Sequence, residues 1–178
     1  ALRDMPRTQG GLAPLAVLIP RHPQRFDEVA AMVLASGLSM RRRSSMQGMP
    51  FGSIDQDTAV LLGDSLGEMP FYYTAADVAI VGGSFAPLGG QNLIEAAACG
   101  VPVIVGPHTF NFAQASEDAI EAGAALRADS AEAAWRLAQE LIDDEDRRAG
   151  MRAAAGRFSA THTGATQRVM RAVGPWLG

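Results

Sequence analysis

Apolar residues along this chain alternate between short β-branched runs and longer stretches with helical spacing. The short runs, residues 15–19, 59–62, 77–81, 102–105 and 124–127, predict buried parallel strands, with a further short strand over 38–43. Between them the period lengthens. A helix is predicted from Pro23 to about Ser36, with Phe26, Val29, Ala30, Val33 and Leu34 on one stripe and Gly37 as its stop. Another runs through Phe71, Tyr72 and Ala75. Helices follow over 93–99, ended by Gly100, and over 111–122, ended by Gly123. Ser130 is a good N-cap for a helix over 131–143, and 145–158 and 162–173 predict two more. Ser65 and Glu68 have capping-box spacing. Residues 1–7 fit the frayed end of a helix, 8–14 a Gly/Pro loop, and 44–58 a loop without apolar period.

Strands that alternate with helices predict an α/β fold: a Rossmann-like parallel sheet with helices on both faces. The expected layout is a linker or truncated helix end over 1–14 and one domain over 15–178. A Rossmann-like half normally opens with a strand and its glycine loop. This chain starts at Ala1, without Met, at what reads as the end of the helix that follows them. A missing first strand is therefore expected to leave a slot or edge in the sheet that is vacant, covered or filled by a neighbour.

Composition narrows the field. The chain has 178 residues, of which 48% are hydrophobic and 19% charged, enough for a packed core and unlike a disordered chain. The single Cys99 excludes a disulfide framework and a multi-cysteine metal site, and reads as a small apolar residue. No apolar run reaches membrane-spanning length, so this stretch is expected to be soluble. The net charge of −4 is uneven. Every basic residue is Arg, and none falls between Phe51 and Leu126, so an anionic ligand in the middle of the chain would draw cationic help from around Arg21 and Arg25. The short 41–43 arginine cluster lacks interleaved aromatics and reads as the flank of a strand, not as a nucleic-acid patch.

The candidate chemistry lies between Ala75 and Asn111. A strand breaks on Gly82, Gly83 and Ser84. A second glycine pair, Gly89-Gly90, leads through Gln91-Asn92 into a helix that carries Glu95. Ligands of parallel sheets sit beyond the carboxyl ends of the strands, and glycines let backbone approach them closely. A helix N-terminus there favours an anion.

The strings Ala76-Asp77-Val78, Gly82-Gly83-Ser84, Gly89 through Ala96 and Gly100-Val101-Pro102-Val103 resemble the donor-binding half of a GT-B glycosyltransferase. Three more strings narrow the resemblance to the 3-deoxy-D-manno-octulosonic acid (Kdo) transferases. They are Pro20-Arg21-His22-Pro23 with Arg25-Phe26, residues 62–68 (LGDSLGE) and residues 106–112 (GPHTFNF). The resemblance runs from about Leu15 to the C-terminal helix. It departs at Gln91, where many members have His, and at Ala96, where many have Pro; Gln91 can donate a hydrogen bond but carries no charge.

What the resemblance implies is a metal-independent, inverting transfer of Kdo from CMP-Kdo to a lipid A precursor in lipopolysaccharide synthesis, at the inner face of the cytoplasmic membrane. No cofactor is implied. The family's acceptor half supplies the catalytic base and the membrane contact and is absent here, so no catalytic residue is expected in this stretch, and no transferase activity from it alone. The implied donor-binding residues are Arg21, His22, Gly83, Ser84, Gly89, Gly90, Gln91, Asn92, Glu95 and Asn111. Arg21 would take a second anion through its two-pronged donor geometry, and Glu95 would accept from the ribose hydroxyls.

Several of these residues also have plainer readings. Asn92 and Glu95 fit a helix cap with its partner, Ser84 a turn, and Asn111 an N-cap; His108 fits a loop-shaping role and His162 a helix surface. No His, Cys or carboxylate grouping has metal-ligand spacing. Two other functions remain open: another enzyme half of the same fold using a UDP donor, whether transferase or epimerase, and a non-catalytic nucleotide-binding module. An NAD site fits less well, because no GxGxxG follows a strand.

Overall fold

A computed structural model of the chain describes residue 11 and residues 13–46 and 54–162. The helix end expected over 1–7, most of the 8–14 loop, residues 47–53 of the central loop and nearly all of the helix expected over 162–173 lie outside the described residues. The chain divides into two compact units, Ala1–Tyr72 and Tyr73–Gly178.

The first unit holds a three-stranded parallel sheet of β1 (Ala16–Leu18), β2 (Met40–Arg42) and β3 (Val60–Leu62), in the order β1-β3-β2. Central β3 has neighbours on both sides, with Val60 beside Ala16 and Met40, and all three of its residues are fully buried. This is why residues 59–62 read as a continuous apolar run rather than an alternating one. Leu61 packs with Met46 and Tyr72, against Ile19, Ile54 and Met69. Helix α1 (Phe26–Ala35) follows a 3₁₀ turn at Pro23–Arg25 and packs on β2 and β3. It buries Ala30 and Val33, but Leu34, expected on that stripe, is 59% exposed. Helix α2 (Met69–Ala75) starts in this unit and continues past its last residue, Tyr72. The Phe71 and Tyr72 N–H groups both reach the Glu68 carbonyl, so Glu68 caps α2 with its backbone. Its carboxylate instead takes the Ser65 hydroxyl, a side-chain pair in place of the expected capping box.

The second unit repeats the theme with β4 (Ala79–Val81), β5 (Val103–Val105) and β6 (Ala125–Arg127), parallel and in that order. Strand β5 is sandwiched. Val103 and Val105 face Leu93, Ala96 and Ala97 around α3 (Ile94–Ala98), Ala119 of α4 (Ala113–Glu121) and Ala154, Ala155 and Phe158 of α6 (Glu145–His162). Ile104 faces the other way, onto Ala134, Ala138 and Leu141 of α5 (Ala131–Asp143). Helices cover both faces, as expected of this class. The Ser130 hydroxyl accepts from the Ala133 N–H at 3.1 Å and caps α5. Gly100 follows α3 at φ +71°, and its N–H closes on the Ala97 carbonyl at 2.9 Å; a left-handed C′ glycine is what stops the helix there.

The expected parallel α/β class stands, and among the described residues its strands pair as two three-stranded sheets. Two expectations need correction. Strand β4 pairs only with β5 among the described residues and is half-buried, with only Val81 fully covered; a strand with one neighbour keeps an open edge. Helix α6 runs unbroken through His162, so no new helix begins at that residue.

Candidate functional site

The site is built from the loops at the carboxyl ends of β4 and β5. After β4 the chain turns through a 3₁₀ turn at Gly82–Phe85. Ser84 is fully buried there, and its hydroxyl works twice: it donates to the Val81 carbonyl at 2.5 Å and accepts from the Gly106 N–H at 2.6 Å. Its carbonyl accepts from the His108 N–H at 2.9 Å. Ser84 thus ties the loop after β4 to the loop after β5, and the structure gives its side chain a supporting role.

Gly89 and Gly90 stand at φ +85° and +74°. A Cβ on Gly89 would lie 2.3 Å from Asn111 Nδ2 and 2.6 Å from Phe110 Cε2, and one on Gly90 would lie 3.4 Å from the His108 carbonyl oxygen. Both conformation and space therefore demand glycine at position 89. Asn111 fastens this approach. Its N–H donates to the Gly89 carbonyl and its Nδ2 to the Leu88 carbonyl, each at 3.1 Å. It sits within the 3₁₀ turn Phe110–Phe112 and is not the N-cap of α4, which begins at Ala113.

Beyond Gly90, Gln91 lies over Gly83: a Cβ built there would be 3.7 Å from Gln91 Nε2. Asn92 caps α3. Its Oδ1 accepts from the Ile94 N–H at 3.0 Å, and its Nδ2 donates to Glu95 Oε1 at 3.1 Å. Glu95 is exposed, with its carboxylate steered by Asn92. Burial raises the Tyr73 phenol above its ordinary value, and the nearby Glu95 charge adds to this. With five residues, α3 is shorter than expected and contributes little dipole. Gly89 and Gly90 are both buried, packed against Phe110, Asn111 and the His108 carbonyl, and the exposed group at this corner is the oriented Glu95 carboxylate.

The structure brings together Gly83, Ser84, Gly89, Gly90, Gln91, Asn92, Glu95 and Asn111, all in the second unit. Arg21 and His22 belong to the first unit, where both are exposed beyond the carboxyl end of β1. Arg25, the other cation expected to help, pairs with Glu28 at 3.1 Å on the surface. In the 41–43 cluster each arginine has a carboxylate partner: Arg41 with Asp55 at 2.6 Å, Arg42 with Asp64 at 2.6 Å and Asp27 at 2.7 Å, and Arg43 with Glu68 at 2.8 Å.

Sequence reasoning missed Arg127, at the carboxyl end of β6. Its guanidinium reaches the Gly106 carbonyl at 3.0 Å. The available signal was its place as the last residue of a strand in an α/β alternation. Among the described residues no group of His, Cys, Asp and Glu is arranged to hold a metal, and no helix is long and apolar enough to cross a membrane.

Glycine loops and an oriented carboxylate at the carboxyl ends of parallel strands stand where ligands of such sheets bind. Residues 54–158 match the family model described as glycosyl transferases group 1. The chain is 62% identical over 165 residues to a 3-deoxy-D-manno-octulosonic acid transferase of Bordetella pertussis, covering 93% of this chain and 38% of that protein. A Haemophilus influenzae protein of the same name is 35% identical over 164 residues, 92% of this chain and 37% of that one. Among solved structures, the C-terminal CMP-Kdo binding domain of WaaA from Acinetobacter baumannii matches with a TM-score of 0.75 and 34% identity, over 81% of this chain and 72% of that one. The chain therefore belongs to the group 1 glycosyl transferases and, within them, to the C-terminal domains of the Kdo transferase family. It spans less than two fifths of the length of those two relatives, 38% and 37%.

Proposed function

We propose that this chain is the donor-binding domain of a Kdo transferase, holding CMP-Kdo while Kdo passes to a hydroxyl of a lipid A precursor. The observation that carries the proposal is the 34% identity, over 81% of the chain, to a domain described as binding CMP-Kdo. The local geometry supports it. Gly89 and Gly90, buried against Phe110 and Asn111, form the tight glycine loop whose backbone would meet a phosphodiester. Glu95, steered by Asn92, would accept from the ribose hydroxyls. Gln91 and Gly83 line the approach. Ser84 and Asn111 keep the two loops in register.

In this reading the transfer inverts the anomeric centre without a metal. The base that deprotonates the acceptor hydroxyl comes from outside this stretch, as does contact with the inner face of the cytoplasmic membrane. The domain by itself then binds donor and turns nothing over. Two assays test the proposal. In a nucleotide panel, CMP is expected to bind more tightly than UMP, UDP or GDP; a preference for UDP would move the chain to another transferase class. In a turnover assay with CMP-Kdo and a lipid A precursor, the chain alone is expected to be silent, and robust activity would overturn the assignment of the base.

A further inference from the structure

The strand order β4-β5-β6 sets three carboxyl ends side by side, and the donor reading uses the loops of only the first two. The third ends on Arg127, in register with Val105 and, one strand further, Val81. Its Nη1 donates to the Gly106 carbonyl at 3.0 Å and, more weakly, to Thr109 Oγ1 at 3.4 Å. Its Nη2 meets Glu117 Oε1 of α4 at 2.5 Å. Both loop partners matter to the corner. The Gly106 N–H is the group bound by Ser84, and Thr109 is buried, with its backbone lying against Gly90.

Thus the loop after β5 is gripped from two sides, by Ser84 at its start and by a flat, always-charged guanidinium beneath it. The Glu117 arm is a different matter: that side chain is 64% exposed, and an ion pair so placed contributes little. What the guanidinium holds, by this accounting, is the Gly106–Thr109 backbone.

We infer that Arg127 is a positioning residue of the nucleotide site. It fixes residues 106–109 where Gly90 rests on them, next to the Phe110 and Asn111 that pack on Gly89, and it acts through that loop without touching the donor. The inference rests on the donor reading above, and it also makes a claim about the ligand-free protein that can be tested separately.

The test uses R127M, R127K and E117Q in the full chain, with two readouts: backbone amide NMR positions without ligand, and calorimetric titration with CMP. R127M is expected to move the amides of Gly89, Gly90, Gly106 and Asn111 while those of α5 stay in place, and to weaken CMP binding about tenfold, the scale of one lost charged hydrogen bond. R127K keeps the charge and one donor direction, and should recover affinity to within about threefold of the unmodified chain. E117Q should stay within about twofold of it. Unmoved amides with unchanged CMP affinity in R127M would overturn the inference. So would an E117Q loss as large as that of R127M, which would assign the effect to the surface ion pair. If the amides move as expected but the unmodified chain ignores CMP, the positioning role stands and the donor reading fails.

Discussion

The Gly106 N–H donates to the Ser84 hydroxyl at 2.6 Å, and that one bond joins the loops after two neighbouring strands. Both residues are buried, and a Cβ on Gly106 would fall 2.4 Å from the Ser84 carbonyl oxygen. Ser84→Ala would strand the buried Gly106 N–H and deprive the Val81 carbonyl of its hydroxyl donor. The expected cost is about 1–3 kcal/mol in denaturant unfolding. Gly106→Ala should cost at least as much, because backbone, not a flexible side chain, blocks the new methyl.

Gly89 is expected to tolerate no side chain. Gly89→Ala meets a left-handed conformation, at about 1–2 kcal/mol, and displaces Asn111. Asn111→Ala keeps the glycine but loses the bond to the Leu88 carbonyl. In CMP titrations both variants should bind more weakly than the unmodified chain, Gly89→Ala the more so. Full affinity in Gly89→Ala would mean that this approach is not part of the site.

Asp64 makes stability in the first unit depend on acid. Its side chain is 2% exposed. Burial pushes its carboxyl up, but the Ser44 hydroxyl, the Ser44 N–H and the Arg42 guanidinium together outweigh that and hold it below the ordinary aspartate value. A carboxylate depressed in the folded state stabilises above its unfolded value, near ~3.9, and that contribution is lost as pH falls through the lower folded value. Thermal midpoints should therefore decline on acidification below about pH 4, and Asp64→Asn should flatten part of that decline while costing about 2 kcal/mol at neutral pH. An Asp64→Asn protein with an unaltered acid limb would show that other carboxylates set it.

Ser116 offers a test of opposite sign. It is fully buried on α4, and among the described residues its hydroxyl has no hydrogen-bond partner. Ser116→Ala removes an uncompensated polar group at little loss of volume, so it should raise stability by about 1 kcal/mol. A loss of stability of that size would mean that the hydroxyl is satisfied in solution.

The contrast between what could and could not be read in advance has a physical cause. Residues 102–105 announced a buried strand because Val103, Ile104 and Val105 are covered on both faces, and Gly100 announced a helix end because only glycine is at ease at φ +71°. Such signals are local. The meeting of Arg42 with Asp64, 22 residues apart, and of Arg127 with Gly106, 21 apart, depends on strand pairing that no local pattern encodes. The division into two sheets was hidden for the same reason: an apolar run declares that it will be a strand, not which strand it will pair with. In the site, the glycines and the Asn92–Glu95 spacing were legible, whereas the inward turn of the Ser84 hydroxyl was not, because serine suits a turn and a ligand equally well.

The central claim is that a nucleotide is held where Gly89 and Gly90 lead toward Glu95. Calorimetric titration with CMP of the unmodified chain beside Glu95→Ala tests it most directly. The account predicts that CMP binds and that losing the carboxylate weakens binding about tenfold or more, the scale of a hydrogen bond to a charged group. Equal affinity in the two proteins would contradict it and leave Glu95 as a hydrogen-bond partner of Asn92 and nothing more.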